Sequence, residues 1–183
     1  MKKTFVEIFK QMIPVIIGIL VALFINSWNE KRKDENYIEE ISKSIKVELE
    51  ESLAEIVEKV PKQQRLIDTM RHYVSNDALT LMEVAIKADG FHAPRIRTNA
   101  WEAISRTKIE LVNYNKLKVL SDIKTGKELL QEKETFLLNF VYSNIYNKSA
   151  EAKQTVMFLV IDIMGTERGI KQDIECYAEV ENL

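Results

Sequence analysis

Apolar residues follow two different regimes along this chain. Gln11 to Asn29 (QMIPVIIGILVALFINSWN) carries no charged residue. At 1.5 Å per residue it reaches about 28 Å, close to the thickness of a bilayer's hydrocarbon core. Beyond it apolar residues recur singly: Ile38, Ile41, Ile45, Leu49, Leu53, Ile56 and Val60 step by 3, 4, 4, 4, 3 and 4. Their mean step is close to the helical period of about 3.6, which puts them on one helix face. It is nearer that value than the coiled-coil period of about 3.5, so packing within the domain is favoured over a self-associating heptad seam.

The first regime reads as an N-terminal transmembrane helix, residues 1–29. Trp28 with Asn26 and Asn29 suits the membrane–water interface. No Ala-x-Ala-like cleavage site follows the run, so an uncleaved anchor is expected over a signal peptide or a buried helix. Thr4 to Glu7 has capping-box spacing for a helix start, with Phe5, Ile8, Phe9 and Met12 on one side of it. Pro14 removes a donor and predicts a kink or a fresh start. Gly18 and Ala22 form a small-xxx-small pair that would let two helices approach closely. Lys2, Lys3 and Lys10 precede the span and Lys31, Arg32 and Lys33 follow it. The free amino terminus tips this near-tie toward a cytoplasmic N-terminus and an extracytoplasmic C-terminal domain.

The second regime predicts an α-helical domain over residues 30–183, with a long helix over about 30–74. Glu30 to Lys59 holds ten acidic and six basic residues, and Glu39–Lys43 and Glu55–Lys59 stand in the favourable i,i+4 order. The acidic run from Glu48 to Glu58 reads as a solvated face. Pro61 predicts a kink or short break, since Leu66, Ile67, Met70, Tyr73 and Val74 carry the apolar face on. A short helix over 78–88 is expected to carry Leu79, Met82 and Ile86, and Asp89-Gly90 ends it. Residues 89–98 form the one clear loop, Pro94 disfavouring helix before it. Helices over about 99–182 follow. Thr98 or Asn99 caps the first, with Glu102 completing a box and Trp101 and Ile104 facing inward. Asn113 caps the next, with Leu117, Leu120 and Ile123 as core. Thr125 to Glu128 reads as a turn, after which a helix runs to about Asn147. Another starts at Ser149 or Ala150 and carries Met157, Val160, Ile161 and Met164. Gly165 and Gly169 mark a break before a terminal helix bearing Ile170, Ile174, Tyr177 and Val180. No strand or internal repeat is evident.

Composition sharpens this all-α picture. Five Gly and three Pro in 183 residues argue against a loop-rich architecture. With 46% hydrophobic and 30% charged residues the chain is neither disordered nor a multi-span membrane protein. A net charge of −2 argues against a dedicated nucleic-acid binder. The single cysteine, Cys176, excludes an intramolecular disulfide and a Cys-based zinc cage, and is expected as a small buried hydrophobe. His72 and His92 lack metal-ligand spacing, so a site joining them to Glu83 or Asp89 is unmotivated. No metal, cofactor or catalytic constellation is expected. Arg95, Arg97, Arg106 and Lys108 around Trp101 form a modest basic cluster, a candidate contact for an anion or lipid headgroup.

Two stretches carry a resemblance. Gly18, Ile19, Leu20, Ala22, Leu23, Asn26, Trp28, Asn29 and Glu30 match a Gly-Ile-Leu-x-Ala-Leu … Asn-x-Trp-Asn-Glu segment. Trp101, Ile104, Ser105, Leu111, Val112 and Leu117 match a later Thr-x-x-Trp step into another helix. Together they resemble an uncharacterised bacterial single-pass membrane family, known as a domain of unknown function. Phe24 departs from it, standing where a polar amide is common, and Arg106-Thr107-Lys108 replaces a Gly-containing turn. The resemblance implies a bacterial inner-membrane anchor with a helical domain and brings no activity. Anchor, long helix and the lack of a catalytic constellation point to a non-catalytic interaction or scaffold protein. Its expected partners are the lipid bilayer and a second copy or another membrane protein. The alternative is a ligand-sensing helical bundle coupled to a membrane partner.

Overall fold

The computed structural model describes the backbone of residues 2–181 and the side chains of residues 12–180. The elements are α1 (Lys2–His72), α2 (Leu81–Lys87), α3 (Asn99–Thr107), a 3-10 turn (Ile109–Leu111), α4 (Tyr114–Ser143) and α5 (Ala150–Glu181). No strand occurs among the described residues, and the fold is all-α as the periodicity requires. The cap expected at Thr4 and the face carried by Phe5, Ile8 and Phe9 lie outside the described side chains. The chain forms two compact units, Met1–Lys43 and Ser44–Leu183, with α1 contributing to both.

In the first unit every described side chain from Met12 to Lys33 is exposed. This is the one helix among the described residues long and apolar enough to cross a membrane, and none of its apolar window is buried. Helix is assigned through Pro14 and again, in the second unit, through Pro61, so neither proline breaks it. Pro61 is exposed while Ile56 and Leu66 are buried. Its missing donor therefore falls on the wet side, and the inward face pulls the helix through. Lys43 reaches Glu39 at 2.6 Å on an exposed face, and the half-buried Lys59 lies 3.9 Å from Glu55, the two pairs expected from their spacing.

The second unit buries one face of each long helix. Ile45, Leu49, Ile56, Leu66, Ile67 and Met70 line the inward face of α1, and Leu120, Ile123, Leu130, Leu137 and Val141 that of α4. Helix α4 starts as expected at Asn113, whose side chain accepts from the Asn115 N–H at 2.9 Å. It then runs through Gly126, and α5 runs through Gly165 and Gly169, so the turn and break predicted there do not exist. Gly126 has another use. A Cβ built on it would meet Ile170 Cγ1 at 2.7 Å, so the missing side chain lets α4 and α5 close on each other. Lys133 of α4 bonds Asp162 of α5 at 2.8 Å. With Gly126 against Ile170, this makes the two helices an antiparallel hairpin over the turn at 144–149.

Helix α2 turns a different face inward from the one its apolar spacing predicts. Leu81, Val84 and Ala85 are buried, whereas Met82 is 38% and Ile86 62% exposed. Both stripes were available, and the docking of the first turn chose between them. Thr80 and Glu83 form a reciprocal capping box. The Leu81 and Met82 N–H groups donate to Asn147 O at 2.7 Å and Ile145 O at 3.3 Å, fixing the rotation. Asp89 (φ 72°) and Gly90 (φ 86°) then end the helix in the left-handed region, as their sequence signals. In α5 the large apolar residues Val156, Val160, Ile163, Ile170, Ile174 and Tyr177 are buried, while Ile161 is 47% exposed.

The glycines give a paired prediction. Gly165 has nothing within 4 Å of an added Cβ, so Gly165→Ala should stabilise by about 0.5–1 kcal/mol through helix propensity. Gly126→Ala gains the same propensity but meets Ile170, and overpacking costs about 1–3 kcal/mol. Denaturant unfolding should therefore show a net loss at position 126 and a gain at 165. Equal gains at both would mean the α4–α5 approach is looser than described.

Candidate functional site

The loop over residues 90–98 has no regular hydrogen bonding of its own, and buried backbone groups need partners. Polar side chains of α1 supply them. Gln63 Nε2 donates to His92 O at 3.0 Å at one end of the loop. At the other, the Arg97 N–H donates to Ser52 Oγ at 2.9 Å, and Arg97 Nε lies 3.1 Å from Glu51. The Glu48 carboxylate accepts from the Ala100 N–H at 3.0 Å and Asn99 Nδ2 at 3.2 Å. It thereby satisfies the α3 N-terminus from a distant element, in place of the Asn99–Glu102 box. Thr98 instead donates to Glu102 at 2.8 Å and accepts from Lys127 Nζ at 2.8 Å. Thr98, and then Lys127, hold the Glu102 carboxyl below the usual range. The acidic run of α1 is thus only partly a solvated face.

Between α1, this loop and α4 lies a cavity of about 450 Å³. Glu55 and Lys59 line it from α1, residues 93–96 from the loop, and Lys127, Leu130, Gln131 and Glu134 from α4. Lys59 is held by Glu58 at 2.9 Å, and Lys127 by Thr98 and by Glu102 at 3.4 Å. Two lining groups are uncommitted. Arg95 makes no ion pair or hydrogen bond among the described residues. Glu134 Oε1 is buried without a partner, and burial pushes that carboxyl up.

Beside the cavity the interior holds a polar pair. Gln63 Nε2 donates to Glu167 Oε1 at 2.6 Å, and the two residues are 1% and 0% exposed. Burial raises the Glu167 carboxyl to about 7, the Gln63 bond opposing and the Glu134 charge adding to the rise. Gln63 Oε1 and Glu167 Oε2 are both buried and unpartnered. A protonated carboxyl both donates and accepts, as a primary amide does, so the neutral form of Glu167 is the better complement to Gln63. Lys153, also 0% exposed, is by contrast well satisfied, donating to Asn76 O at 2.6 Å and Lys148 O at 3.0 Å.

Of the basic residues singled out from the sequence, Arg95 alone lines the cavity. Arg97 is turned to Glu51, Arg106 lies 3.8 Å from Glu102, and Lys108 caps the C-terminus of α3. Trp101, around which they cluster in sequence, is 5% exposed. In the anchor segment Pro14, Gly18, Ala22 and Trp28 are all exposed. His72 stacks edge-on against Tyr73, and His92 Nε2 lies 3.7 Å from Asp89. No group of three His, Cys, Asp or Glu that could hold a metal occurs among the described residues. Cys176 is exposed, not buried as expected. The register of Ile170, Ile174 and Tyr177 rotates its neighbour 176 outward. Gln63, Glu134 and Glu167 were missed, although each left a trace. Glu167 interrupts the stripe Ile163–Ile170–Ile174, Gln63 the stripe Ile56–Leu66–Met70, and Glu134 the stripe Leu130–Leu137–Val141.

No protein-family profile, curated protein or solved structure matches this chain.

Glu167 makes stability depend on pH. Its folded pKa of about 7 exceeds the ordinary 4.5. The folded state therefore holds the extra proton between those values, and stability falls as pH rises through about 7. The loss should approach about 3 kcal/mol at alkaline pH. Glu167→Gln should flatten the urea-unfolding free energy between about pH 5 and 8. An unchanged slope in that variant would assign the titration elsewhere.

Proposed function

We propose that this chain is a single-pass, membrane-anchored helical protein of the bacterial inner membrane, acting as a non-catalytic interaction or scaffold module. The observation that carries this reading is the unburied apolar window of α1. Ten large apolar side chains between Ile13 and Ile25 are each 47–73% exposed. At about 1.5–3 kcal/mol per side chain, leaving them in water would cost on the order of 20 kcal/mol. That exceeds the whole stability of an ordinary domain, and a bilayer removes the cost. Trp28, with Asn26 donating to Glu30 at 3.2 Å, supplies an amphipathic boundary at the end of the run. The resemblance to a single-pass family points the same way, and the charge count favours a C-terminal domain outside the cytoplasm. Exposed Phe136, Tyr142 and Phe158, at 60%, 69% and 69%, offer apolar contacts for a second copy or another membrane protein.

A second reading, a ligand-sensing helical domain coupled to a membrane partner, is favoured by the cavity between α1, the loop and α4 and by its two uncommitted groups of opposite charge.

The full-length protein should stay with membranes through alkaline carbonate extraction, and a chain lacking residues 1–29 should not. Release of the full-length chain by carbonate would reject the anchor. Orientation is read from Cys176, the only thiol and exposed. A membrane-impermeant maleimide should label it in spheroplasts with intact inner membranes. Labelling only after lysis would place the domain in the cytoplasm.

A further inference from the structure

We propose that the cavity between α1, the 93–96 loop and α4 binds a small zwitterion, its anionic group on Arg95 and its ammonium on Glu134. This rests on the ligand-sensing reading and names the chemistry it would sense.

Charge commitment selects the ligand class. Five charged residues line the cavity: Glu55, Lys59, Arg95, Lys127 and Glu134. Lys59 and Glu55 are paired at 3.9 Å, and Lys127 is spent on Glu102 and Thr98. One guanidinium and one carboxylate remain. A simple anion would leave the Glu134 carboxylate without a partner, and a simple cation would leave Arg95 without one. A molecule carrying both charges satisfies both, and a guanidinium suits a planar carboxylate with two parallel bonds. The volume, about 450 Å³, lies within the usual range for small-molecule pockets and admits a molecule of dipeptide size.

The site is also held in shape. Gln63 pins His92 O just before the 93–96 segment, and Ser52 pins Arg97 N just after it. Arg95 is thus presented from a loop tied at both ends, and Glu134 projects from a long helix whose neighbouring Leu130 and Leu137 are buried. An ammonium at Glu134 would also replace, in part, the solvation that burial removed from that carboxyl.

The test uses the full-length protein in detergent micelles. Probes are the individual free amino acids and a set of unmodified dipeptides, each beside its N-acetylated and C-amidated forms. Unmodified members should raise the melting temperature, and titration calorimetry should return a saturable Kd. Blocking either end should weaken binding about tenfold or more, as should Arg95→Ala or Glu134→Gln. Arg95 is an exposed loop residue, so its variant keeps the fold and the test stays decisive if the Glu134 variant does not fold. If no unmodified probe binds, or blocked probes bind equally well, the proposal is wrong. Stabilisation by inorganic phosphate that depends on Arg95 but not on Glu134 would also overturn it, while leaving ligand sensing intact.

Discussion

The second unit depends on satisfying one stretch of irregular backbone. Residues 90–98 cross the protein without a ladder of their own, and the partners they need sit at Glu48, Ser52 and Gln63 of α1. Helix α1 is therefore more than an apolar face. Its polar residues fix where the loop runs, where α3 begins, and how much space is left against α4. The cavity is the gap that this arrangement leaves, and Arg95 is its rim because residues on both sides of it are tied down.

Two buried charged residues show how differently the interior treats a titratable group. Lys153 has two carbonyl oxygens within 3.0 Å, so its ammonium is solvated by backbone. Glu167 has one strong donor at 2.6 Å, an unpartnered second oxygen and a like charge at Glu134. Burial costs both groups their water, and only the lysine has it replaced. Stress of this kind collects in one place, along the line from Gln63 through Glu167 to Glu134, beside the cavity.

Much of the fold was legible in the sequence because it is written in local spacing. The apolar run, the stripe of α1, the Asn113 cap and the loop at 90–98 all follow from residues close in the chain. Errors arose where a distant contact decided the outcome. Gly126 reads locally as a turn, but its meaning comes from Ile170 in another helix. Helix α2 offered two apolar faces, and bonds to residues 145 and 147 selected the less obvious one. The site was legible in pieces only. Arg95 drew attention as a loop cation, whereas Glu167 looked like one more acid, since its partner Gln63 lies 104 positions away. A polar residue seated in an apolar stripe is the sequence trace of such a site, and three of them converge here.

Gly126 has a consequence beyond the closeness it permits. In an antiparallel hairpin, sliding one helix past the other by a turn would bring Asp122 or Leu130 opposite Ile170. Either side chain would force the helix axes apart and open the seam from Gly126 to Lys133. The missing methyl therefore works as a notch: α4 and α5 can be closely seated in one alignment and not in its neighbours. That alignment seats Lys133 against Asp162 and Thr166, and with them sets how near Glu134 comes to Glu167, so a residue with no side chain governs which carboxylates share the interior.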